Sequence, residues 1–326
     1  MENRHSVFGQ VLNLPVVIPL SNRWLITRLA TVAVGAVIVC SATTTPAATA
    51  DKIGVNVVPH RAIYRLSLQS ARSASPVIGV SGRMLFQWSD ACDAWTIEQH
   101  FRMNFLYAED EEVMMTTNYA TWEAKNGGHY RFNVRKTVNG QVEEELKGEA
   151  TTGNNNKVGK GGRESVKGGI ATFAKPEATE IKLPPGTQFP TRHTLVLLEH
   201  ALAGEHFFTR TIFDGADAEG ATEISAVIGK RAMLKNGIAA TSSIKDRPAL
   251  EVLVADAKRD SKLLTGPAWP VRLAFFPTKS ESSSPEYEMS LLLLHNGIAE
   301  AMQIDYGDFT VKAILETLEP LPKSGC

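Results

Sequence analysis

The stretch "AWTIEQHFRMNF", from Ala94 to Phe105, decides the fold. Every second residue from Trp95 to Phe105 is apolar except Gln99, and the residues between them are polar or charged. Successive side chains of a β-strand point to opposite faces of a sheet, so this two-residue period predicts a half-buried strand.

The same period recurs on both sides of this stretch. It predicts strands at residues 60–69, 80–88, 112–123 and 129–138, and later at 205–215, 222–230, 249–258, 269–277, 286–297 and 298–321. "VNGQ" at 138–141 is an Asn-Gly hairpin signal, with Gln141–Gly148 as the returning strand. Short strands separated by turn residues favour an antiparallel meander over βαβ units, so the chain is predicted to be mainly β.

Two segments between the strands are predicted to be loops. The Gly/Asn-rich run 151–164 is not a phosphate-binding loop, because Lys160 is followed by glycine rather than Ser or Thr. The Ser-rich segment 278–287 is predicted to be a solvated hairpin tip.

One segment, Leu183 to Glu205, departs from the β pattern. Leu195, Leu198 and Leu202 fall at helical spacing, and Gly204 is a natural stop. We predict a helix that begins at Pro190 or Thr191 and packs its leucine face onto the sheet.

Residues 1–50 have the features of a signal peptide preceded by an N-terminal extension. Basic residues (Arg23 and Arg28) precede an apolar run, Leu29 to Cys40, and Ala48-Thr49-Ala50 is an A-x-A cleavage signature. The apolar run is shorter than the roughly 20 residues that span a bilayer, so no transmembrane anchor is expected after cleavage. Cleavage after Ala50 leaves residues 51–326 as the mature chain.

Cleavage also leaves two cysteines, Cys92 beside the strand of the opening stretch and Cys326 at the end of the chain. An isolated pair in an oxidising compartment usually forms a bridge, which would attach the C-terminal tail to an early strand. Two free thiols or an intermolecular bridge remain the alternatives.

No set of residues indicates catalysis or a cofactor. His193, His200 and His206 resemble a metal set, but seven helical residues place the first two about 10 Å apart. They are therefore interpreted as a polar helix edge followed by a strand. The acids at 107–113 are interpreted as a solvated turn. "AWPVRLAFF" (268–276) reads as a core strand, in which Trp269 or Phe276 could line a ligand cavity.

Composition narrows the class of partner. The formal net charge of the whole chain is −1. A near-neutral chain has no electrostatic footprint for nucleic acid, so none is expected as a partner. The mature length suffices for one large β domain or two smaller ones.

Several motifs taken together resemble the EipB family of periplasmic cell-envelope integrity proteins of alphaproteobacteria. They are "ACDAWTIEQHF", "LPPGTQFPTRHT", "GPAWPVRLAFF", "EYEMSLLLLHNGIAEAMQIDYGDFTV" and the terminal cysteine. The similarity runs from about Val57 to Cys326, and this chain differs in its long N-terminal extension. The resemblance implies a single β-spiral or open-barrel domain over 51–326, with a helix against it and one disulfide, which maps onto Cys92 and Cys326. It also implies upkeep of the envelope under stress, with no catalytic site to carry over.

Two hypotheses about function follow. The first is a non-enzymatic periplasmic protein that maintains the envelope by binding another envelope component. The second is a carrier whose curved sheet holds a lipid or other apolar ligand. Hydrolysis of cell-wall material is a third and weaker possibility.

Overall fold

The computed structural model describes residues 55–153, 168–239, 258–277 and 283–326. Within them one α-helix, α1 (Pro190–Ala203), accompanies a sheet of 17 strands. The strands of the N-terminal half are β1 (His60–Ala71), β2 (Val77–Asp90), β3 (Ala94–Tyr107), β4 (Glu112–Ala124), β5 (His129–Val138), β6 (Gln141–Thr151), β7 (Gly168–Lys175) and β8 (Thr179–Pro185). Those of the C-terminal half are β9 (Phe207–Ile212), β10 (Thr222–Ile228), β11 (Ala232–Lys235), β12 (Ile238–Ala239), β13 (Lys258–Arg259), β14 (Gly266–Pro277), β15 (Tyr287–Leu294), β16 (Ala299–Asp305) and β17 (Phe309–Pro320).

The strands form one curved, nearly closed antiparallel ribbon. From β8 the pairing runs back through consecutive strands to β1, which also pairs with β17. From β17 it continues through β16, β15, β14 and β10 to β9. The short strands β11 and β12 extend the β14 side, and β13 joins β17 in parallel.

The two ends of the ribbon meet just after β8. The Gln188 N–H donates to the Thr211 carbonyl at 2.9 Å, and the Phe213 N–H donates to the Gln188 carbonyl at 3.0 Å. We call this contact, between Gln188 and the end of β9, the seam. It makes the sheet barrel-like, in agreement with the predicted fold class.

Most predicted strands are present, and the hairpin at 138–141 is confirmed. Its turn residues Asn139 and Gly140 have φ values of 50° and 81°, as a type I′ turn requires. The predicted run 298–321 is instead a hairpin of β16 and β17, because Gly307 turns the chain with φ 85°. Most of the strand predicted at 249–258, most of the loop predicted at 151–164, residues 1–54 and part of the hairpin tip at 278–287 lie outside the described residues.

Strands β7 and β8 are not among the predicted strands. The buried positions of β7 are Gly169, Ala171 and Phe173, so small residues weaken the hydrophobic alternation. Strand β8 is short and ends at Pro184 and Pro185, inside the segment 183–205 that departs from the β pattern.

Helix α1 begins and ends where predicted, but its buried face is wider than the leucine stripe. Val196, Leu197, Leu198 and Ala201 are buried, whereas Leu195 and Leu202 are only partly buried. The reason is that the helix packs between two parts of the sheet. The hydrophobic cluster around it contains Trp88 and Ile97 from β2 and β3, together with residues of β9, β10, β14 and β15.

The buried apolar residues of the described ranges form three clusters. Cluster 1 is built mainly on β1 to β4 and β17, for example Tyr64 and Phe105. Cluster 2 surrounds α1. Cluster 3 is largely aromatic, with Tyr130, Phe132 and Phe173 at its centre.

Candidate ligand-binding interior

The inner face of the sheet carries side chains that solvent reaches at the junction of the clusters. Phe86 and Met302 pack against both cluster 1 and cluster 2, yet each is only partly buried. Phe101 packs against cluster 1 and Tyr119 against cluster 3 in the same partly buried state. All four lie within strands rather than at turns, so their partial exposure does not come from a loop or a chain end. We call this region the junction.

Gln99 also faces the junction. It lies directly opposite Phe86 on one side and Tyr119 on the other, on the face that also carries buried Ile97. The region therefore combines aromatic surface with an amide, a mixture typical of sites for small apolar ligands.

A threonine and a lysine continue the inner row that contains Phe101. Thr117 lies opposite Phe101, and Lys136 lies opposite Thr117; the two are 8% and 5% exposed. Among the residues that the structure describes, none forms a hydrogen bond with the Thr117 hydroxyl. Burial lowers the pKa of Lys136, while attraction to Glu144, directly opposite on β6, and to Glu143 opposes the shift. The lysine charge is thus partly compensated inside the fold.

The first turn of α1 is fixed by a carboxylate from another element. Phe189 at the N-cap provides no side-chain cap, and Pro190 has no N–H. The two oxygens of Glu123 on β4 instead accept the N–H groups of Thr191 at 2.8 Å and Arg192 at 2.7 Å. Burial raises the pKa of Glu123 to about 7, and the two N–H donors offset part of that shift. Glu123 thereby anchors the helix inside the sheet.

A hydrogen-bonded loop follows β9. The hydroxyls of Tyr119 and Tyr130 both donate to the carbonyl oxygen of Asp214, at 2.7 and 2.8 Å. Asp217 is 6% exposed and accepts the N–H groups of Glu219 and Gly220. Burial is the main cause that raises the pKa of Asp217 to about 8, and repulsion from the nearby Asp214 is the second.

The three histidines considered as a metal set have separate roles. His193 is buried with its ring 5.7 Å from that of Phe208, so its assignment to a polar helix edge was wrong. His200 stacks on Phe208 at 4.4 Å and contacts Glu205, and His206 contacts the Ile228 carbonyl. In the described part of the chain, no three His, Cys, Asp or Glu side chains are grouped as metal ligands.

Arg210 is a functional candidate that the sequence analysis did not identify. It lies opposite Ile224 on the inner face of β9, and its guanidinium is 5.6 Å from the centre of the Phe208 ring. Of the two aromatic residues proposed to line a cavity, Trp269 is buried in cluster 2. Phe276 lies opposite Glu223, on the other face from the inner-face residue Phe275.

The structure brings the two mature-chain cysteines together. Cys92 and Cys326 form a disulfide with Cα atoms 5.9 Å apart. The neighbouring Asp90 carboxylate accepts the Cys92 N–H at 3.0 Å and the Lys125 ammonium at 2.6 Å. Hydrogen bonding from Lys125 is the main reason that the pKa of Asp90 is lowered, and Ser324 of the tail also bonds to this carboxylate. The tail is therefore attached next to the start of β3.

The acidic run after β3 is a turn, as interpreted from the sequence. The Tyr107 N–H donates to the Glu111 carbonyl at 2.9 Å, and residues 109–112 are exposed. Glu112 begins β4 and accepts a hydrogen bond from Asn104.

These features define a nearly closed, barrel-like β protein with a helix anchored inside it. The family described as EipB-like matches residues 51–322, and the chain belongs to that family. It is 29% identical over 306 residues to the cell envelope integrity protein EipB of Brucella abortus (strain 2308), covering 92% of this chain and 98% of that protein. It also resembles the crystal structure of a beta-barrel-like protein of a domain of unknown function from Brucella abortus, with a TM-score of 0.68 and 27% identity, over 82% of this chain and 100% of that one.

No helix among the described residues has the length and apolar character needed to cross a membrane.

Proposed function

We propose that this protein is a non-enzymatic periplasmic protein that maintains the cell envelope by binding another envelope component. The relative's name as an envelope integrity protein supports the role in the envelope. The leader-like segment 1–50 supports export to the periplasm. The hydroxyls of Tyr119 and Tyr130 bonded to Asp214, and the helix anchored by Glu123, hold the interior in place, and such a preorganised arrangement suits binding.

A second candidate is more specific: the bound component is a lipid or another apolar molecule carried in the interior. One observation favours it. Phe86, Phe101 and Met302 face inward in the middle of strands, where complete packing is the rule, and yet they remain partly exposed. An apolar ligand at the junction would cover them.

The carrier hypothesis is tested by extracting the purified mature protein with organic solvent and identifying bound molecules by mass spectrometry. Gln99→Trp places a bulky ring in the junction and is expected to abolish co-purification of the ligand. His100→Trp is the matched control, because its side chain is exposed on the outer face of the same strand. An extract without any lipid or apolar molecule, or equal amounts from both variants, would refute a carrier.

The broader binding hypothesis is tested by crosslinking in living cells, with identification of captured partners. An envelope component is expected among the captured molecules. The non-enzymatic assignment has its own test, in which purified peptidoglycan is incubated with the protein and its fragments are analysed. Release of muropeptides would overturn that assignment.

A further inference from the structure

Arg210 is an inward-facing cation that has no acidic partner in the described part of the chain. Its side chain lies on the same face of β9 as those of the buried residues Phe208 and Ile212. One guanidinium N–H donates to the Thr209 carbonyl at 2.8 Å. Among the residues that the structure describes, no carboxylate lies within ion-pair distance of the guanidinium. Lys136 differs, because Glu144 faces it across the strand pair. A partly buried guanidinium presents several N–H donors, and most of those of Arg210 are available to an anion.

Two polar groups on elements next to Arg210 also lack partners within the described ranges. His193 on α1 is 5% exposed, and its Nε2 has no hydrogen-bond partner among the described residues. The side-chain oxygen of Gln188, at the seam, is buried and likewise has no partner there. Gln188 is bridged to Ile212, two residues along β9 from Arg210. Buried polar atoms are normally satisfied, so these two unpaired atoms, one on the helix and one at the seam next to β9, point to a ligand near Arg210.

The chemical state of His193 fits an anion. Burial, assisted by the charge of Arg210, lowers its pKa to about 4, so the imidazole is neutral near pH 7. A neutral imidazole can carry its proton on Nε2 and donate it, and the Gln188 amide can turn its NH2 group to the same place. Three hydrogen-bond donors, one of them charged, would then be available to one anion.

We propose that Arg210, His193 and Gln188 form a subsite for the anionic head group of an amphiphile, a phosphate or a carboxylate, whose apolar part lies at the junction. This inference rests on the carrier form of the proposed function. Charge-assisted hydrogen bonds, and a guanidinium that can bind two oxygens at once, make such a group the best match.

The test compares three probes by isothermal titration calorimetry on the mature protein, below micelle concentrations: n-dodecyl phosphate, n-dodecanol and inorganic phosphate. Dodecyl phosphate is expected to bind about 10- to 100-fold more tightly than dodecanol, as hydrogen bonds to charged groups predict. Arg210→Gln is expected to remove that difference while leaving dodecanol binding unchanged. Arg192→Gln is the control, because the side chain of this arginine is 40% exposed and pairs with Glu199 on the helix surface.

The wild-type protein provides a second measurement in case Arg210→Gln fails to fold. Dodecyl phosphate is expected to shift the ring-nitrogen resonances of His193 and to raise its pKa, whereas dodecanol leaves that pKa unchanged. An unaltered His193 would overturn the subsite.

The outcomes separate the subsite from the carrier hypothesis. Equal affinity for dodecyl phosphate and dodecanol would eliminate the subsite and leave the carrier intact. Inorganic phosphate binding as tightly as dodecyl phosphate would show a free-anion site and refute the head-group assignment. Failure of both dodecyl probes to bind would refute the carrier itself.

Discussion

Replacing Glu123 with alanine should detach the start of α1 from the sheet. The carboxylate is 2% exposed and accepts the N–H groups of Thr191 and Arg192, for which the helix has no cap of its own. Each unpaired buried donor costs about 1–3 kcal/mol, and water entering the space left by the side chain recovers part of that cost. We expect Glu123→Ala to lower the free energy of unfolding by about 3 kcal/mol. For a chain of this size the melting temperature should then fall by about 6–12 °C.

Urea unfolding followed by tryptophan fluorescence measures this loss, because Trp88 and Trp269 belong to the cluster around the helix. The matched control is Glu98→Ala on the neighbouring strand β3, where the side chain is exposed. That change should stay within about 0.5 kcal/mol of wild type. If the two alanine variants are equally stable, Glu123 does not anchor the helix and the reasoning fails.

Three further predictions concern the disulfide, a buried aspartate and export. Replacing Cys92 or Cys326 with serine should lower the free energy of unfolding by up to roughly 5 kcal/mol, because 234 residues separate the pair. The double variant should be little less stable than either single variant. If reductant leaves the wild-type melting temperature unchanged, the thiols are free. The pKa of Asp217 is raised to about 8, so its stabilising contribution is complete below about pH 4 and is lost as the pH rises through about 8. Asp217→Asn keeps an oxygen that accepts the N–H groups of Glu219 and Gly220. In thermal unfolding this variant should be as stable as wild type at pH 4 and more stable at pH 9, by up to about 5 kcal/mol. Equal stability of the two proteins at both pH values would contradict the burial argument. N-terminal sequencing of the periplasmic protein should begin at Asp51, and a start upstream of Leu29 would rule out cleavage after Ala50.

Most of the fold could be predicted from strand alternation and turn residues. The runs at β3 and β5 alternate along their whole length except at Gln99 and Lys136, and the Asn139-Gly140 turn follows from the left-handed conformations that these residues tolerate. Closure at the seam did not follow from the residues, since contact between Gln188 and Ile212 depends on curvature accumulated over the whole ribbon. The family resemblance implied a β-spiral or open barrel, but not this contact.

The candidate site was less accessible from sequence, although one signal was present. Gln99, Lys136 and Arg210 are polar residues in positions where the alternation calls for apolar ones. Because the period of a strand is two, such residues must point into the sheet interior, so each of them marks a polar group inside the sheet. Sequence could not show that α1 lies within the curved sheet, so burial of His193 and capping by Glu123 were missed.

The most direct test of the account is photo-crosslinking from the inside of the sheet in living cells. Benzoylphenylalanine at position 101 replaces an inward-facing aromatic side chain at the junction, and the same residue at position 100 faces outward on the same strand. The account predicts an adduct with an envelope molecule from position 101 and little or none from position 100. Adducts of equal yield from both positions, or from position 100 alone, would show that the interior is not the binding site.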